Sequence, residues 1–373
     1  MEQERERKRK LQTVDVVIPV YRPGKKFGRL LRMLARQTYP AGKVIVVNTE
    51  ERYWDKERFS KWGKGLKLEV HHIRKQEFDH GGTRRQAVSY SQADVFVCLT
   101  DDAVPANPHL LQRLMEGFGQ RGPKGELPAM VYARQLADKD CKIGERYARH
   151  FNYPPKSRVK TAADLPKLGI KTYFGSNVCC AYDREIYDRL GGFGYPAIFN
   201  EDMVFAGRAV QAGYGVVYQA EAKVVHSHNF SCLQQFRRNF DLAVSQADHP
   251  EVFGGLPSEG EGIRLVKKTA AYLARSGHLL QLPDLVVKSG FKYLGYRLGK
   301  AYWHLPKRAV LWCTMNRNYW SIGEGGSMEG LKALWERQGI KDDDNDASDS
   351  ADFGIRGNHD ADYAQNPQGK AAD

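Results

Sequence analysis

The sequence predicts an α/β fold in which a mostly parallel central sheet is flanked by helices and followed by a helical C-terminal region. Short β-branched runs alternate with segments of helical periodicity over the first third of the chain, which is typical of a parallel sheet. Most of these runs contain consecutive apolar residues, as strands buried on both faces do. After Cys232 the sequence becomes helical in pattern, basic and aromatic.

The composition limits the classes of protein to consider. The 373 residues allow one large or two modest domains, and a hydrophobic fraction of 42% is enough for a sizeable core. A formal net charge of +13 indicates an anionic partner, which is a phosphate-bearing substrate, a lipid surface or nucleic acid. Six scattered cysteines without a Cys-x-x-Cys pair favour a reduced, cytosolic protein. Residues 1–10 lack the apolar stretch of a secretory signal and no segment is apolar enough to span a bilayer, so we expect a soluble or peripheral protein.

The first predicted unit is a strand, a helix and a second strand. Val14–Tyr21 is a short β-branched run with Pro19 near its end, and Lys43–Glu50 is a second run of the same kind. Between them, apolar residues recur at helical spacing from Phe27 and stop near Gln37. This order predicts a right-handed βαβ unit.

The next two predicted strands lead to residues that suit ligand binding. Leu66–Ile73 alternates like a strand and precedes the paired glycines of residues 78–87, where a helix begins and the backbone can approach a ligand closely. Val95–Leu99 is a buried strand followed by two adjacent carboxylates, Asp101 and Asp102. Carboxylates at the carboxyl end of such a strand suit a hard cation and a substrate phosphate. The alternative is that they only accept hydrogen bonds from nearby backbone N–H groups.

The pattern is less regular beyond the fourth strand, and residues 119–166 are interpreted mainly as an active-site loop region. The remaining predicted elements are a helix from about His109 to Phe118, a strand at Met130–Ala133, a strand over Thr172–Tyr182 broken by Gly175, a helix over Arg184–Leu190 capped by Asp183, a helix from Asn200 to Gly213, and strands at Gly215–Tyr218 and Lys223–His226.

The C-terminal region mixes lysine and arginine with tyrosine and tryptophan over residues 263–320. Three interpretations stay open: packing on the preceding domain, contact with an anionic membrane through amphipathic helices, or an oligomer interface. The acidic and polar residues 323–373 are expected to be disordered. The predicted divisions are a flexible arm over 1–12, the α/β domain over 13–240, the basic and aromatic helical region over 241–322, and the tail over 323–373.

Seven short motifs follow one another between residue 14 and about residue 240. They are Val16–Tyr21, Phe78–Arg84, Leu99–Ala103, Gly175–Asn177, Gly191–Phe193, Asn200–Phe205 and His226–Asn229. The ordered set resembles the family-2 inverting glycosyltransferases with the GT-A nucleotide-sugar-binding fold, and within them the rhamnosyltransferase-like branch. The resemblance implies an enzyme that transfers a sugar from a nucleotide donor to an acceptor hydroxyl.

The resemblance also implies a divalent cation, Mn²⁺ or Mg²⁺, that neutralises the diphosphate leaving group. Asp102 matches the family's metal ligand, with Asp101 in support. A histidine ligand is implied after the last core strand, where His226 and His228 point to the same side of an extended segment. Which of the two histidines ligates is left open, and the alternative for either one is structural packing.

The general base that removes the acceptor proton would come from Glu201 and Asp202. Asp202 matches the base of the family, and Glu201 would orient the acceptor. The alternative is that both carboxylates only cap the helix, whose dipole would depress their pKa and weaken them as bases.

Donor recognition would use the ends of the first strands and the glycine motif. The contacts implied by the resemblance are Pro19, Tyr21, Asn48, Glu50, Asp79, Arg84 and Asp101. Arg84 suits a diphosphate through bidentate hydrogen bonds, and the alternative for it is a solvated helix face. Many relatives carry Asp at the position of Asn48, so either its amide or the Glu50 carboxylate would contact the nucleotide here.

The expected function is a metal-dependent inverting glycosyltransferase of bacterial surface polysaccharide synthesis. The first donor to test is dTDP-rhamnose, and the alternative is a UDP-hexose or a UDP-N-acetylhexosamine. The acceptor would be a glycan or a lipid-linked glycan, and no nucleic acid is expected as a partner. We expect a cytoplasmic location, and leave open both peripheral association with the inner face of the cell membrane and an oligomer. The alternative of a different class is a non-catalytic basic module that binds membranes or nucleic acid.

Overall fold

The computed structural model describes residues 11–256 and 259–321, which contain one nine-stranded sheet with helices on both faces. The strand order is β3-β2-β1-β4-β8-β6-β9-β5, and β7 pairs with β9. The strands are β1 (Val14–Tyr21), β2 (Val44–Thr49), β3 (Leu68–Ile73), β4 (Val95–Leu99), β5 (Val104–Pro105), β6 (Pro128–Leu136), β7 (Arg158–Lys160), β8 (Cys179–Asp183) and β9 (Gly215–Val225). The predicted tail and residues 1–10 of the predicted arm lie outside the described residues.

Thirteen α-helices surround and extend this sheet in the described ranges. They are α1 (Lys25–Leu34), α2 (Lys56–Trp62), α3 (His80–Ser89), α4 (Leu110–Gly117), α5 (Ile143–Asn152), α6 (Leu165–Leu168), α7 (Arg184–Arg189), α8 (Glu201–Gln211), α9 (Cys232–Asp248), α10 (Pro250–Phe253), α11 (Glu259–Arg275), α12 (Leu282–Lys300) and α13 (Lys307–Cys313). Helices α1, α2 and α4 contribute to the core on one face of the sheet, and α3, α7 and α8 to the core on the other.

The packing of β1 explains why it is apolar at successive positions from Val16 to Val20. Val16 and Ile18 belong to the core that contains Phe27 of α1. Val17 belongs to the opposite core, with Phe96 of β4. Successive side chains of a strand point to opposite faces, so a strand covered by helices on both sides buries all of them.

The predicted α/β architecture is confirmed, but the sheet is parallel only in its first half. Strands β3, β2, β1 and β4 run parallel. Strand β8 is antiparallel to both of its neighbours, β4 and β6. Strands β6 and β9 are parallel to each other, and β5 and β7 are antiparallel to β9. The carboxyl ends of β1, β2 and β4 therefore lie at one edge, as expected, and β8 enters between β4 and β6 from the other direction.

The predicted strand over Thr172–Tyr182 is wrong in its first half. Residues Gly169–Tyr173 form a 3-10 turn, and the strand begins only at Cys179. Thr172 and Tyr173 are nevertheless almost fully buried. Their β-branched and aromatic side chains fill the core without pairing in the sheet, and the local pattern does not distinguish these two situations.

Two other predictions about element boundaries also need correction. The strands predicted at Gly215–Tyr218 and Lys223–His226 are one strand, β9, whose register with β6 shifts between Ala133 and Arg134. The exposed Glu221 interrupts the apolar pattern near this irregularity. The region 119–166 is not mainly loop, because it contains α5 and β7 as well as the long strand β6.

The helical C-terminal region packs on the α/β domain, as one of the three interpretations predicted. Helices α9 and α12 lie in close contact, because a Cβ atom added at Gly295 would be only 2.1 Å from the carbonyl oxygen of Phe236. A third core joins Ile198 and Phe240 to Trp320 and other C-terminal residues. Helix α9 continues through residue 240, where the domain boundary was predicted, and the division into domains stays a prediction. No helix in the described ranges combines the length and the apolar composition that a bilayer crossing needs.

Candidate active site

Three potential metal ligands come together at the carboxyl end of β4. The Nε2 atom of His226 is 3.5 Å from Oδ1 of Asp102, and the Nε2 atom of His228 is 3.2 Å from Oδ2 of the same carboxylate. Each of the three residues offers one potential ligand atom, and these three atoms all lie within 4.8 Å of one another. The hydroxyl of Thr100 donates to Asp102 Oδ1 at 2.9 Å, which helps to fix the carboxylate. The strand-end carboxylate and the histidine pair, which are far apart in the sequence, therefore form one cluster.

The chemistry of this cluster fits a divalent cation. Burial lowers the pKa of both histidines, although the charge of Asp102 opposes this, so the imidazoles are neutral near pH 7. Burial also opposes ionisation of Asp102, but the histidines and the Thr100 hydroxyl outweigh it and hold its pKa below the usual value. A neutral imidazole and an ionised carboxylate are the forms that bind metal ions.

Gln135 of β6 orients one of the two histidines. Its Oε1 atom lies 3.2 Å from Nδ1 of His226, and its amide donates to Ser176 Oγ at 2.9 Å. If Nδ1 carries the proton and donates to Gln135, the lone pair of Nε2 points to Asp102 and is free to ligate. A histidine that binds a metal ion typically has such a hydrogen-bond partner on its other ring nitrogen. No motif in the sequence pointed to Gln135.

Asp101 lies beside this cluster, but its carboxylate oxygens are not among the three potential ligand atoms. It is half-buried, and burial together with the neighbouring charge of Asp102 raises its pKa to about 8. A backbone hydrogen bond connects its carboxyl group to Tyr21. The position of Asp101 is therefore between the predicted metal site and the end of β1.

Glu201 and Asp202 form the first turn of α8, directly after a residue with unusual backbone geometry. Asn200 has a φ of 61° and a ψ of 22°, which is the left-handed region that non-glycine residues seldom adopt. Backbone conformations of this kind concentrate at functional sites. Asp202 Oδ2 accepts a hydrogen bond from the backbone N–H of Asn177 at 2.8 Å, and Oδ1 accepts from Met203 N–H at 2.8 Å.

The pKa of Asp202 is raised, contrary to the alternative that the helix dipole would depress it. Burial is the largest cause and the charge of Glu201 the second, and together they bring the pKa to about 7, against the two backbone hydrogen bonds. Hence Asp202 has the properties of a general base that works near neutral pH.

Glu201 is held in the interior by Arg84. The two side chains form an ion pair with 3.1 Å between Arg84 Nη1 and Glu201 Oε1, and they are only 8% and 6% exposed. Asn177 Nδ2 also donates to Glu201 Oε1, at 2.9 Å. Burial opposes ionisation of Glu201, but Arg84 and the other partners outweigh it and keep the pKa below its usual value. The predicted contacts of Arg84 with the diphosphate and of Glu201 with the acceptor stay predictions, and the structure adds this pairing.

One short segment, residues 176–178, connects the metal-binding cluster with the carboxylate pair. Ser176 accepts a hydrogen bond from Gln135, which contacts His226. Asn177 donates to both Glu201 and Asp202, and its own Oδ1 accepts from the Tyr182 hydroxyl at 2.7 Å. The carbonyl oxygen of Val178 accepts from Thr100 N–H at 3.2 Å. The Gly-Ser-Asn motif thus holds both halves of the site together, a role that the sequence alone did not assign to it.

At the ends of β1 and β2, aromatic and charged side chains form a partly exposed group. Tyr21 meets Tyr53 edge to face, with 5.6 Å between the ring centroids. The Arg22 guanidinium lies 4.8 Å from the Tyr53 ring centre. The half-buried Glu50 accepts from Lys75 N–H at 2.7 Å and pairs with Arg52. With the half-buried Pro19 nearby in β1, this group has the accessibility that the predicted nucleotide contacts require.

Two predicted donor contacts, Asp79 and Asn48, have side chains inside the protein, and their contacts with the donor stay predictions. Asp79 is 1% exposed; its Oδ1 accepts from Gly82 N–H at 2.7 Å and its Oδ2 from Ala197 N–H at 2.9 Å. It therefore caps α3 and ties the loop before α8 to the glycine motif. Asn48 is 0% exposed and its amide donates to the Glu50 carbonyl oxygen and contacts His72. Asn48 supports the turn that presents Glu50.

Three basic residues near the histidine pair were not among the predicted site residues. Lys26, Arg149 and Arg238 are all close enough to His228 to disfavour its protonation. Lys26 pairs with Asp138 at 3.2 Å, and Arg149 donates to Gln135. The Arg238 guanidinium stacks 4.5 Å from the centre of the Phe199 ring. Positive charge around a metal-binding cluster suits a diphosphate, and no sequence motif marked these residues for it.

Several known proteins are similar to this chain. The family model Glycosyl transferase family 2 matches residues 15–191. The chain is also 36% identical over 324 residues to the O-antigen chain rhamnosyltransferase RfbN of Salmonella typhimurium, a match that covers 86% of this chain and 99% of that protein. The chain belongs to glycosyltransferase family 2. This transferase is similarly 33% identical over 322 residues to the O-antigen chain rhamnosyltransferase WbaN of Salmonella anatum, covering 85% and 98% of the two chains.

Solved structures similar to this transferase include two that differ strongly in sequence. The mannosyltransferase PcManGT from Pyrobaculum calidifontis, in complex with GDP-Man and Mn²⁺, is 16% identical, with a TM-score of 0.47 and coverage of 90% of this chain and 93% of that one. S. aureus TarS 1-349 is 14% identical, with a TM-score of 0.46 and coverage of 78% and 91%. The predicted family and the predicted enzyme class, a glycosyltransferase, are confirmed.

Proposed function

We propose that this transferase moves rhamnose from dTDP-rhamnose to a hydroxyl group of a glycan or lipid-linked glycan, in the synthesis of a bacterial surface polysaccharide. The sugar and the acceptor class are inferred from the two Salmonella relatives, which are O-antigen chain rhamnosyltransferases. The observation that carries the catalytic part is the arrangement of Asp102, His226 and His228, linked through residues 176–178 to the half-buried Asp202.

Asp202 is the proposed general base. A carboxylate has about four positions at which it accepts hydrogen bonds, and the N–H groups of Asn177 and Met203 take two of them. The remaining positions are available to the acceptor hydroxyl. Its proton passes to Asp202 as its oxygen attacks the anomeric carbon from the face opposite the leaving diphosphate, which inverts the configuration there. Burial and the charge of Glu201 bring the pKa of this base to about 7, against the opposing charge of Arg84, which pairs with Glu201.

The diphosphate of the donor would lie against the metal-binding cluster. Asp102, His226 and His228 would hold a divalent cation, Mn²⁺ or Mg²⁺, which when bound supplies positive charge for the leaving diphosphate. Lys26, Arg149 and Arg238 would add positive charge from the protein. The nucleoside would lie at the ends of β1 and β2, against Tyr21, Glu50 and the Arg22–Tyr53 pair, with Asp101 between the nucleoside and the diphosphate.

A donor panel tests the substrate. We expect release of dTDP from dTDP-rhamnose, dependent on Mn²⁺ or Mg²⁺ and on an acceptor glycan, and little release from UDP-hexoses or UDP-N-acetylhexosamines. Preferential use of a UDP-sugar would show that the family is right and the sugar is wrong. If the protein binds none of these nucleotide sugars, the donor assignment fails altogether.

The variant Asp202→Asn tests the base. Because general base catalysis contributes about 10²- to 10⁴-fold, we expect a loss of transfer of that size. Donor affinity, measured by calorimetry with dTDP-rhamnose, should be unchanged, since the site proposed for the donor does not use Asp202. Asp188→Asn, on the exposed side of α7, is the matched control and should behave as the original protein. Turnover near the original rate in Asp202→Asn would refute the assignment.

A further inference from the structure

Helices α11 and α12 and their connection, residues 276–281, form a helical hairpin that carries most of the exposed apolar surface in the described residues. Eleven of the thirteen exposed large hydrophobic side chains there lie beyond residue 260. Seven of these occur at the connection and in α12: Leu279, Leu280, Val286, Val287, Phe291, Tyr293 and Leu294. Leu280 is 96% exposed. Exposed apolar surface concentrated in this way indicates an interaction site.

The arrangement along α12 shows that this surface is separate from the packing on the α/β domain. Gly295 and Gly299 lie on the face that approaches α9, since added Cβ atoms would be 2.1 Å from Phe236 O and 2.3 Å from Phe240 O. Val287, Phe291 and Leu294 are spaced at i, i+4 and i+7, so they share another face of the helix. Helix α12 therefore has one face for α9 and a second apolar face exposed to solvent.

The same region carries a net positive charge. The hairpin contains eight lysines and arginines and three acidic residues, Glu259, Glu261 and Asp284, and residues 301–321 add three more basic residues and no acidic one. On α11, Arg264, Lys268 and Arg275 are exposed at i, i+4 and i+11, which places them along one side of that helix. A basic helix is thus joined to a partly apolar one through an exposed pair of leucines.

We propose that the helical hairpin, residues 259–300, binds an anionic lipid surface, with its apolar side chains at the boundary between headgroups and acyl chains. Basic residues combined with exposed leucine, phenylalanine and tyrosine are the composition of helices that lie in this interface. A second copy of the chain is a poorer partner, because each hairpin carries eight lysines and arginines against three acidic residues, and two surfaces of net positive charge repel each other. The proposal goes beyond the proposed function and does not depend on it, since lipid binding needs no sugar donor.

Flotation of the full chain with lipid vesicles tests this inference. Vesicles of phosphatidylcholine alone are compared with vesicles that also contain phosphatidylglycerol, without nucleotide sugar or acceptor. We expect binding only to the anionic vesicles, and weaker binding at high salt. Leu279→Ser combined with Leu280→Ser should weaken binding at least about tenfold, because two exposed apolar side chains no longer enter the interface. Arg264→Gln combined with Arg275→Gln should weaken it about 25-fold, at about fivefold for each charge.

A matched control removes two charges elsewhere. Lys61 and Lys64 are exposed at the end of α2, beside the edge strand β3, and Lys61→Gln with Lys64→Gln should leave binding unchanged. All variants change exposed side chains, and an unchanged melting temperature confirms that they fold. Equal binding to both kinds of vesicle, or an equal loss in the control, would overturn the proposal. So would a dimer in the absence of lipid that the double leucine variant converts to a monomer, because the apolar face would then be an interface between copies.

Discussion

Glu201→Gln is the substitution that best tests how the site raises the pKa of its proposed general base, Asp202. The Asp202 carboxyl has a pKa of about 7 where an exposed aspartate has 3.8, and the charge of Glu201 is the second cause after burial. The rise of about three units corresponds to about 4 kcal/mol, at about 1.4 kcal/mol for each unit. Replacement of Glu201 removes this second cause and so lowers the pKa of Asp202; a fall of about one unit corresponds to about 1.4 kcal/mol.

The direction of the effect follows from the charges. Removal of the negative charge lowers the Asp202 pKa, and the Arg84 guanidinium, which then has no anionic partner from Glu201, lowers it further. A base acts in its deprotonated form, so the acidic limb of the pH profile of kcat moves to lower pH. At about pH 6 the deprotonated fraction of Asp202 rises from about one tenth to about one half, which is about fivefold in relative rate.

The assay measures kcat from about pH 5 to about pH 9 at saturating donor and metal, with each variant normalised to its plateau. Glu185→Gln is the control, because Glu185 forms an exposed ion pair with Arg189 and should leave the profile unchanged. A buried arginine without its partner destabilises a protein by about 3–5 kcal/mol, so Arg84→Met with Glu201→Gln is the second variant, in which both charges are absent. An acidic limb that stays in place or moves to higher pH in folded protein would refute the argument.

Two further predictions concern the support of the metal site and the packing of the C-terminal region. Gln135→Leu should weaken Mn²⁺ binding about 10- to 100-fold in a direct titration, because His226 loses the partner that orients its ring; Gln112→Leu, on the exposed side of α4, is the control, and equal affinity in both would contradict the role of Gln135. Gly295→Ala should destabilise the protein by about 1–3 kcal/mol in denaturant unfolding, because its Cβ would lie 2.1 Å from Phe236 O. Gly290→Ala in the same helix has no atom within 4 Å of its Cβ and should stabilise by about 0.5–1 kcal/mol, so similar effects of the two substitutions would contradict the close packing of α9 and α12.

Some parts of the site were visible in the sequence because they depend on local pattern. The apolar run of β4 located Asp102 at a strand end, and the alternation around Ser227 placed both histidines on one side. Asp183 caps α7 as its sequence position predicted, since its carboxylate accepts from Ile186 N–H. Each of these features follows from residues within a few positions of one another, and local spacing is what a sequence states directly.

Other parts depend on how distant segments meet. Arg84 and Glu201 are 117 positions apart, and their ion pair forms only because α3 and α8 cover the same face of the sheet. The burial of Asp79 and Asn48 depends on a loop and a strand that come from other parts of the chain. Equally, the sequence of α12 is apolar on more than one face, and only its contact with α9 decided which face is covered.

The sequence by itself therefore determined the α/β class, the family and the main candidates for metal binding and for the general base. Buried strands and short motifs can be recognised from residues that are close together in the sequence. The tertiary structure alone decided that residues 176–178 join the metal-binding cluster to the base, and that Asp202 is half-buried beside a second carboxylate. The physical reason is that the pKa of a carboxyl group and the identity of its partners depend on burial and on charges from other segments, which local spacing does not contain.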